Sequence, residues 1–247
     1  MNDRPVRGGL SNWHQRLGVG VFGQVLDTLL PHSCLVCGLV CDGGDLCVAC
    51  RGTLPWLGAG ACPVCALPGD GSGQRCGACQ RYPRAFDQTV AAFRYAFPVD
   101  RLVLALKYGH RLDVVDFLTV SLSQCLTGDF VEADVIVPMP LHPRRLAERG
   151  FNQAAEIGRR LARETGIPLK VGGLIRDRDT APQVDLPLSA RGANVRGAFR
   201  CPPDLAGQRV VVVDDVMTSG ASLHEAARAL KSRGAATVCN WIVARTP

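Results

Sequence analysis

Hydrophobic residues along the chain fall into short runs and helix-like repeats that predict an α/β fold. The four valines Val210–Val213 are β-branched and apolar on both faces, which is typical of a buried strand in a parallel sheet. The segment 134–138 has the same character and predicts a second buried strand. Residues 154–165 and 223–233 follow these strands and have apolar residues at helical spacing. This alternation predicts a mostly parallel sheet of the Rossmann type.

The same pattern adds elements on both sides of these two units. Apolar and β-branched residues dominate three more predicted strands, and apolar residues recur at helical spacing in two more segments. The strands are 88–95, 167–175 and 236–244, and the helices are 98–108 and 112–126.

Two acids and a turn of small residues follow the valine strand. Asp214 and Asp215 end the predicted strand, and the turn consists of Thr218, Ser219, Gly220, Ala221 and Ser222. Such a turn at a helix N-terminus offers backbone N–H groups and the positive end of the helix dipole to an anion. The carboxylates would repel a phosphate, so they suit vicinal ribose hydroxyls or a Mg²⁺ shell. The alternative is an ordinary strand–turn–helix unit with incidental acids. The turn is not a Walker A loop, because the Gly-Lys-Ser/Thr ending is absent.

Arginines are concentrated beside this predicted anion site. The segment 134–200 holds twelve Lys and Arg against seven Asp and Glu. A loop predicted at 138–145 leaves the carboxyl end of its strand, where open α/β sheets bind ligands. Arg144 and Arg145 in this loop, with Arg149 after it, predict a cradle for a diphosphate, because guanidinium groups bind phosphate oxygens in pairs.

A long polar segment, 176–199, precedes the valine strand. It is rich in Arg, Asp, Pro and Gly, and a loop of this length in a compact domain is usually functional or mobile. We predict a flexible loop beside the ligand, with Arg176, Gln183, Arg191 and Asn194 as its candidate residues. A disordered linker is the alternative.

Cysteine dominates the N-terminal third of the chain. Of 12 cysteines, nine lie between Cys34 and Cys79, and eight of these form four C-x-x-C pairs. This spacing indicates two tetrahedral structural Zn²⁺ sites. A disulfide framework and a redox C-x-x-C are the alternatives, but no secretion signal is present and redox pairs normally stand alone. The predicted ligands are Cys34, Cys37, Cys47, Cys50, Cys62, Cys65, Cys76 and Cys79.

The spacing leaves the pairing of these knuckles open. The simplest arrangement is sequential, with the first four cysteines on one ion and the last four on the other, but an interleaved arrangement also fits. Cys41 is the ninth cysteine and is either a spare thiol or a replacement ligand. Because this segment has little apolar material, the metal would supply most of its folding free energy.

Length and composition fit a globular protein of about two domains. The chain has 247 residues, 47% of them hydrophobic, with mean hydropathy +0.10. A net charge of +6 favours phosphate-rich partners without establishing nucleic-acid binding. We expect an N-terminal segment with a short amphipathic helix at 1–33, a zinc ribbon at 34–84 and the α/β domain at 85–247. The apolar stretch 17–30 is too short and interrupted to cross a membrane, so we expect a cytoplasmic protein without an integral membrane segment.

Several motifs together resemble one family, the ComF/GntX-type proteins, from about Pro31 to Val243. The most specific are Arg149-Gly-Phe-Asn-Gln and Asn194-Val-Arg-Gly-Ala-Phe, which general phosphoribosyltransferases lack. The others are the C-x-x-C series, Leu106-Lys107-Tyr108, Val137-Pro-Met-Pro-Leu-His-Pro-Arg-Arg, Arg178-Asp-Thr-Ala-Pro-Gln and the Asp-Asp loop.

The resemblance implies a double zinc ribbon joined to a domain of the type I phosphoribosyltransferase fold. In that class, an acid pair holds the ribose 2′- and 3′-hydroxyls of phosphoribosyl pyrophosphate (PRPP) and a hydroxylated turn holds its 5′-phosphate. A neighbouring loop holds the diphosphate with Mg²⁺. In this sequence these roles fall on Asp214 and Asp215, on 218–222, and on Arg144 and Arg145. Family members are associated with competence and with single-stranded DNA that arrives through the uptake machinery.

Three functions compete at this point. The chain is a PRPP-dependent transferase with an unidentified acceptor, a PRPP sensor without turnover, or a DNA-handling module. In the last case, basic loops follow a single strand and the zinc ribbon recruits a helicase or pore protein. Aromatic residues make up only 6% of the chain, which argues against stacking platforms. The predicted core aromatics are Phe93, Tyr95, Phe151, Phe199 and Trp241.

Overall fold

The computed structural model describes residues 32–41, 45–58, 60–69, 71–126, 132–178, 188–202 and 205–247, with the backbone alone for 188–191. The helix predicted within 1–33 and the predicted loop residue Gln183 lie outside these ranges. Within them, no helix combines the length and the apolar character needed to cross a bilayer.

Small strands and short helices in the cysteine region precede a regular alternation of strands and helices. The strands are β1 His32–Ser33, β2 Val40–Cys41, β3 Gln88–Arg94, β4 Val135–Pro138, β5 Ile175–Arg176, β6 Phe199–Arg200, β7 Arg209–Met217 and β8 Thr237–Arg245. The helices are α1 Val48–Gly52, α2 Gly77–Arg81, α3 Val99–Gly109, α4 Val114–Ser123, α5 Pro143–Arg149, α6 Gln153–Thr165, α7 Leu188–Val195 and α8 Ala221–Lys231.

Four strands form a parallel sheet in the order β3-β8-β7-β4. The four valines Val210–Val213 of β7 lie at its centre and are at most 2% exposed. Val211 and Val213 pack with helices α3, α4 and α6, and Val210 and Val212 pack with α8 on the other face. The predicted α/β fold with a buried parallel strand is therefore confirmed, and the carboxyl ends of all four strands meet at one edge.

Strand β7 is longer than the sequence predicted. The prediction that it ends at the acid pair is wrong, because it continues through Asp214 and Asp215 to Met217. Its partner β8 extends equally far, and the two remain paired up to Met217 and Arg245. Helix α8 begins at Ala221, two residues earlier than predicted. Pairing with a long neighbour decides where β7 ends, and that partner is not visible in the sequence of β7 alone.

The prediction of a loop at 138–145 is also wrong for its second half, which forms the start of helix α5. His142 is the N-cap, and its Nδ1 accepts the N–H of Arg144 at 3.4 Å. Pro143 occupies the first turn, where its fixed φ suits a helix and its missing N–H costs nothing. The helix ends at Arg149, so the predicted diphosphate arginines lie on a helix rather than on a loop.

The chain after α6 does not form the strand predicted at 167–175. Only Leu169 bridges to the sheet, in parallel with Ile136 of β4. The polar segment that follows begins and ends in an antiparallel ribbon, because β5 pairs with β6. Arg176, predicted as a flexible-loop residue, is instead 7% exposed, with its guanidinium 5.6 Å from the ring centroid of Phe199. The ribbon orders it, and the sequence alone did not reveal that pairing.

The cysteine-rich region packs against the outer edge of the sheet at β3. Trp56 forms an antiparallel bridge with Phe93. The N–H of Leu57 donates to the carbonyl of Ala92 at 2.9 Å, and the N–H of Arg94 donates to the carbonyl of Pro55 at 2.8 Å. The ribbon region therefore supplies β3 with a backbone partner on its otherwise open side.

Candidate functional site

The acid pair of β7 lies at the carboxyl edge of the sheet, and Asp215 is its enclosed member. Asp215 is 4% exposed. The Nζ of Lys107 in α3 lies 3.0 Å from its Oδ2, and the Nε2 of Gln153 in α6 donates to the same oxygen at 3.0 Å. Two helices thus converge on one carboxylate oxygen. Their side chains fix the orientation of Asp215 and compensate its buried charge.

Lys107 and Gln153 are site residues that the sequence analysis did not assign. Burial alone would lower the pKa of Lys107, but the charge of Asp215 and the hydrogen bond to it raise that pKa above its ordinary value. The ammonium group therefore stays charged. Gln153 is 5% exposed, and its Oε1 has no hydrogen-bond partner among the described residues. The available signal was a lysine directly after Leu106, at the border of an apolar helix face.

Asp214 is partly exposed as a residue, but its carboxyl group is buried. Its Oδ1 accepts the N–H of Asp215 at 2.9 Å. Burial, followed by the negative charge of Asp215, raises the pKa of Asp214 to about 7, while the charges of Lys107 and Arg176 act in the opposite direction. Because burial removes water from this carboxylate, donors such as vicinal hydroxyls would stabilise its charged form.

The turn after β7 has the form of an anion site. Gly220 has φ +74°, and a Cβ there would lie 2.6 Å from the terminal methyl of Met217. The positive φ favours glycine, and a methyl group would push Met217 aside. The N–H groups in the first turn of a helix lack partners within the helix, and the N–H of Ala221, the first residue of α8, donates to the Oγ of Ser219 at 3.4 Å. The five predicted phosphate-binding residues, Thr218, Ser219, Gly220, Ala221 and Ser222, therefore lie together at the start of α8.

Arg144 and Arg145 follow the strand next to the acid pair. They lie on α5, beyond the carboxyl end of β4, which neighbours β7 in the sheet. Arg144 is exposed and Arg145 is half-buried. Asn152 fixes the approach to this helix, because its Nδ2 donates to the carbonyl of Met139 at 3.0 Å while its Oδ1 caps α6. Both arginines thus remain at the predicted edge.

The remaining predicted residues belong to the polar segment between β5 and β6. The charge of Arg176 acts on Asp214, as its effect on the pKa of that acid indicates. Asn194 is half-buried in α7, and Arg191 lies in the same helix. The structure therefore brings Arg176 toward the acid pair and leaves Asn194 and Arg191 on α7.

A basic cleft of about 560 Å³ opens between α7 and α8. It is lined by Gly192, Arg196, His224, Glu225 and Arg228. Glu225 accepts the N–H of Gly197 at 3.0 Å and the Nη1 of Arg228 at 3.0 Å, so its charge is matched within the protein. With Arg196 added, the lining carries net positive charge. The acid pair does not line this cleft.

The eight predicted zinc ligands form two compact groups. One is Cys34, Cys37, Cys47 and Cys50, the other is Cys62, Cys65, Cys76 and Cys79, and the Sγ atoms within each group lie within 4.8 Å of one another. The pairing is therefore sequential, and Cys41 belongs to neither group. The N–H of Cys76 donates to the Sγ of Cys62 at 3.3 Å, which stabilises negative charge on sulfur. Four sulfur donors so placed fit a tetrahedral Zn²⁺ ion.

Arg245 connects the second cysteine group to the turn at 218–220, where phosphate binding is predicted. Its side chain is buried; its Nε donates to the carbonyl of Cys65 at 2.9 Å and its Nη1 donates to the carbonyl of Met217 at 3.3 Å. Met217 immediately precedes the turn. One guanidinium therefore joins the loop of a metal ligand to the end of β7.

The sequence matches two family models in the order that the structure has them. Residues 25–80 match the double zinc ribbon domain, and residues 146–245 match the phosphoribosyl transferase domain. These matches, with the two cysteine groups, support structural zinc. The fold and its N-terminal unit define a phosphoribosyltransferase-type α/β protein joined to a double zinc ribbon.

Three bacterial proteins are similar to this chain over most of their length. DNA utilization protein YhgH of Escherichia coli is 34% identical over 194 residues, which cover 75% of this chain and 84% of that protein. Competence protein F of Haemophilus influenzae is 27% identical, over 81% of this chain and 96% of that protein. Competence protein ComFC of Bacillus subtilis is 26% identical, over 81% of this chain and 84% of that protein. The chain belongs to the ComF family.

Two solved structures are also similar to parts of the chain. Glutamine PRPP amidotransferase from Bacillus subtilis, complexed with ADP and GMP, has 25% identity and a TM-score of 0.39, over 56% of this chain and 30% of that one. Purine phosphoribosyltransferase from Pyrococcus horikoshii has 21% identity and a TM-score of 0.30, over 61% of this chain and 75% of that one.

Proposed function

We propose that this chain binds PRPP, or a related phosphoribosyl ligand, at the carboxyl edge of its sheet and serves in DNA uptake. The observation that carries the proposal is the fixed carboxylate of Asp215, held by Lys107 and Gln153 three residues before the turn at 218–220. A diol-binding acid and an anion-binding helix N-terminus in this order suit a sugar phosphate.

Each part of the ligand has a matching group at this edge. Asp214 and Asp215 accept the ribose 2′- and 3′-hydroxyls, and the N–H groups at 218–222 receive the 5′-phosphate. Arg144 and Arg145 bind the diphosphate, because a guanidinium pairs with two phosphate oxygens. Mg²⁺ takes most of its oxygen ligands from substrate phosphates and water, with one or two carboxylates, and an acid pair beside a diphosphate suits it. Bound there, it would neutralise diphosphate charge.

The zinc ions are structural in this proposal. Each closed set of four thiolates leaves no open coordination position, as in structural zinc sites. The ribbon then presents a rigid surface beside β3, to which a DNA-uptake helicase or pore protein would bind.

The role in DNA uptake is supported by the names of the relatives, a DNA utilization protein and two competence proteins. Single-stranded DNA handling draws on Arg196 and Arg228, whose guanidinium groups line the basic cleft and would follow a phosphate backbone. Such a protein receives incoming DNA in the cytoplasm, which is where we expect it.

Calorimetric titration with PRPP and Mg²⁺ tests the proposal. Replacing Asp214 and Asp215 together by Asn should weaken binding by about 1.5–3 kcal/mol for each lost charge-assisted hydrogen bond. Asp134→Asn is the matched control, because Asp134 pairs with Arg209 at the opposite end of the sheet. Circular dichroism and zinc content should be unchanged in all variants. Unchanged PRPP affinity in the double variant would end the proposal.

A further inference from the structure

Tyr108 is an exposed aromatic side chain at the C-terminal end of α3, with 68% of its surface open to solvent. The guanidinium carbon of Arg149 lies 5.5 Å from its ring centroid. This contact places the guanidinium over the face of the ring, and we call the pair the Tyr108–Arg149 stack. Tyr108 is not one of the aromatic residues that the sequence analysis predicted to be core.

The stack lies beside the acid pair. Lys107, the residue before Tyr108, reaches Asp215 at 3.0 Å. Gln153, the first residue of α6, follows Arg149 by four residues and donates to the same carboxylate oxygen at 3.0 Å. The two segments that hold Asp215 from within are therefore the two that meet again in the Tyr108–Arg149 stack at the surface.

A second ring contact fixes these segments to each other. The imidazole of His110 lies 5.8 Å from the ring of Phe151, centroid to centroid. Gly150, between Arg149 and Phe151, has φ +79° and ends α5 with a sharp change of direction. The end of α3 and the α5–α6 connection therefore contact each other at two places and form one wall of the site.

A large exposed ring on a rigid wall offers a surface for a planar partner. Every nucleobase has a π-face, and stacking on an aromatic side chain contributes strongly to base binding without selecting the sequence. The guanidinium of Arg149 covers one face of the Tyr108 ring, and its charge favours an approach by ligands that carry phosphates. Tyr95 is another aromatic residue close to Asp215 and Lys107, but it is half-buried, so Tyr108 presents the more exposed ring.

We propose that Tyr108, supported by Arg149, is the surface on which a nucleobase stacks beside the phosphoribosyl site. The base is either a base of single-stranded DNA or a free base that accepts the phosphoribosyl group. This inference deepens the proposed function, and the case of the free base rests on the proposed PRPP site. The shared chemistry is a planar heteroaromatic ring.

Fluorescence of 2-aminopurine tests the proposal, because stacking on an aromatic ring quenches it. One arm uses a short single strand containing 2-aminopurine, and the other uses the free base in the presence of PRPP and Mg²⁺. We expect quenching by the wild type in at least one arm. Tyr108→Leu should weaken that binding roughly 5- to 150-fold, while Tyr108→Phe and Tyr108→Trp should retain it.

Tyr82→Leu is the matched control. Tyr82 is 65% exposed and lies at the end of α2, next to the second cysteine group, so its loss should leave quenching unchanged. Tyr108→Phe and Tyr108→Trp also keep the cation–π contact with Arg149, so the quenching itself, which needs the base to touch an aromatic ring, separates stacking from a purely structural role. Oligonucleotide binding by the wild type without quenching would show such a structural role and overturn the proposal.

The arms also separate this inference from the proposed function. If only the oligonucleotide's fluorescence is quenched, the stacked base is a DNA base. If the free base is quenched only in the presence of PRPP, the stacked base is an acceptor. Tyr108→Leu should bind PRPP as tightly as the wild type does in calorimetry. If the wild type itself binds no PRPP, the proposed function alone fails. No quenching in either arm, or equal quenching by wild type and Tyr108→Leu, contradicts the stacking surface.

Discussion

Lys107 and Asp215 form an ion pair at 3.0 Å in which the carboxylate side chain is 5% exposed and the lysine side chain is 22% exposed. The two residues come from α3 and β7, which lie far apart in the chain and adjacent in the fold. The pair forms only when helix and sheet are packed together. It therefore connects the integrity of the α/β core directly to the geometry of the candidate site.

Removing the cation of this pair should destabilise the protein. Lys107→Met leaves Asp215 as an uncompensated buried charge, and we expect a loss near the lower end of about 3–5 kcal/mol in the free energy of unfolding. Adding Asp215→Asn should recover much of this loss, because an amide needs no cation. Urea unfolding of both single variants and the double variant measures the coupling.

The surface pair Arg111–Asp113 is the control for that cycle. Both of its side chains are about half exposed, at 49% and 51%, so Arg111→Met should cost less than about 1 kcal/mol. Strictly additive losses in the Lys107 and Asp215 cycle would show that the two residues do not act together.

The raised pKa of Asp214 predicts how stability depends on pH. Its pKa of about 7 lies above the ordinary 3.8, so this carboxyl favours the folded state only while protonated. That advantage is present below about pH 4 and is lost as the pH rises through about 7. Asp214→Asn should therefore gain stability over the wild type between these values, by at most about 1.4 kcal/mol per pH unit. Urea unfolding across this range, with a difference that does not change with pH, would contradict the account.

Gly220 and Gly207 form a matched pair for testing the phosphate turn. Both have positive φ, +74° and +73°, but a Cβ on Gly207 meets nothing within 4 Å while one on Gly220 meets Met217. Each change to Ala should cost about 1–2 kcal/mol of stability for the left-handed backbone. Only Gly220→Ala should also weaken PRPP binding, as measured by calorimetry. Equal PRPP affinity in the two variants would argue against a role for the turn.

The link through Arg245 predicts that the second zinc site and the phosphate turn are coupled. Arg245→Lys cannot donate to Cys65 and Met217 in the same fork-like geometry. We expect weaker PRPP binding, on the order of 1 kcal/mol for each lost hydrogen bond, and faster release of one of two zinc equivalents to a chromogenic chelator. Arg209→Lys, at the opposite edge of the sheet, should change neither quantity.

Elemental analysis of the wild type should give two zinc ions per chain, since two thiolate sets are present. Disulfides or an absence of zinc would contradict both the metal assignment and the coupling. If release and PRPP affinity are unchanged in Arg245→Lys, the guanidinium has only a packing role.

The sequence predicted local features well and long-range contacts poorly. Local runs of residues specify the buried strand at Val210–Val213, the small turn after it and the C-x-x-C knuckles, because each depends on nearby residue types. Lys107, Gln153 and Arg245 were not assigned, because their roles depend on partners that only the folded chain brings within hydrogen-bonding distance. The end of β7 was misjudged for the same reason, since β8 determines it.

The most direct test of the central claim is a crystal structure of the protein with PRPP and Mg²⁺. The account predicts the ribose 2′- and 3′-oxygens within hydrogen-bond distance of the carboxylates of Asp214 and Asp215. It also predicts the 5′-phosphate on the N–H groups of 218–222. PRPP bound instead in the cleft lined by Arg196 and Arg228, or no bound PRPP at saturating concentration, would contradict it.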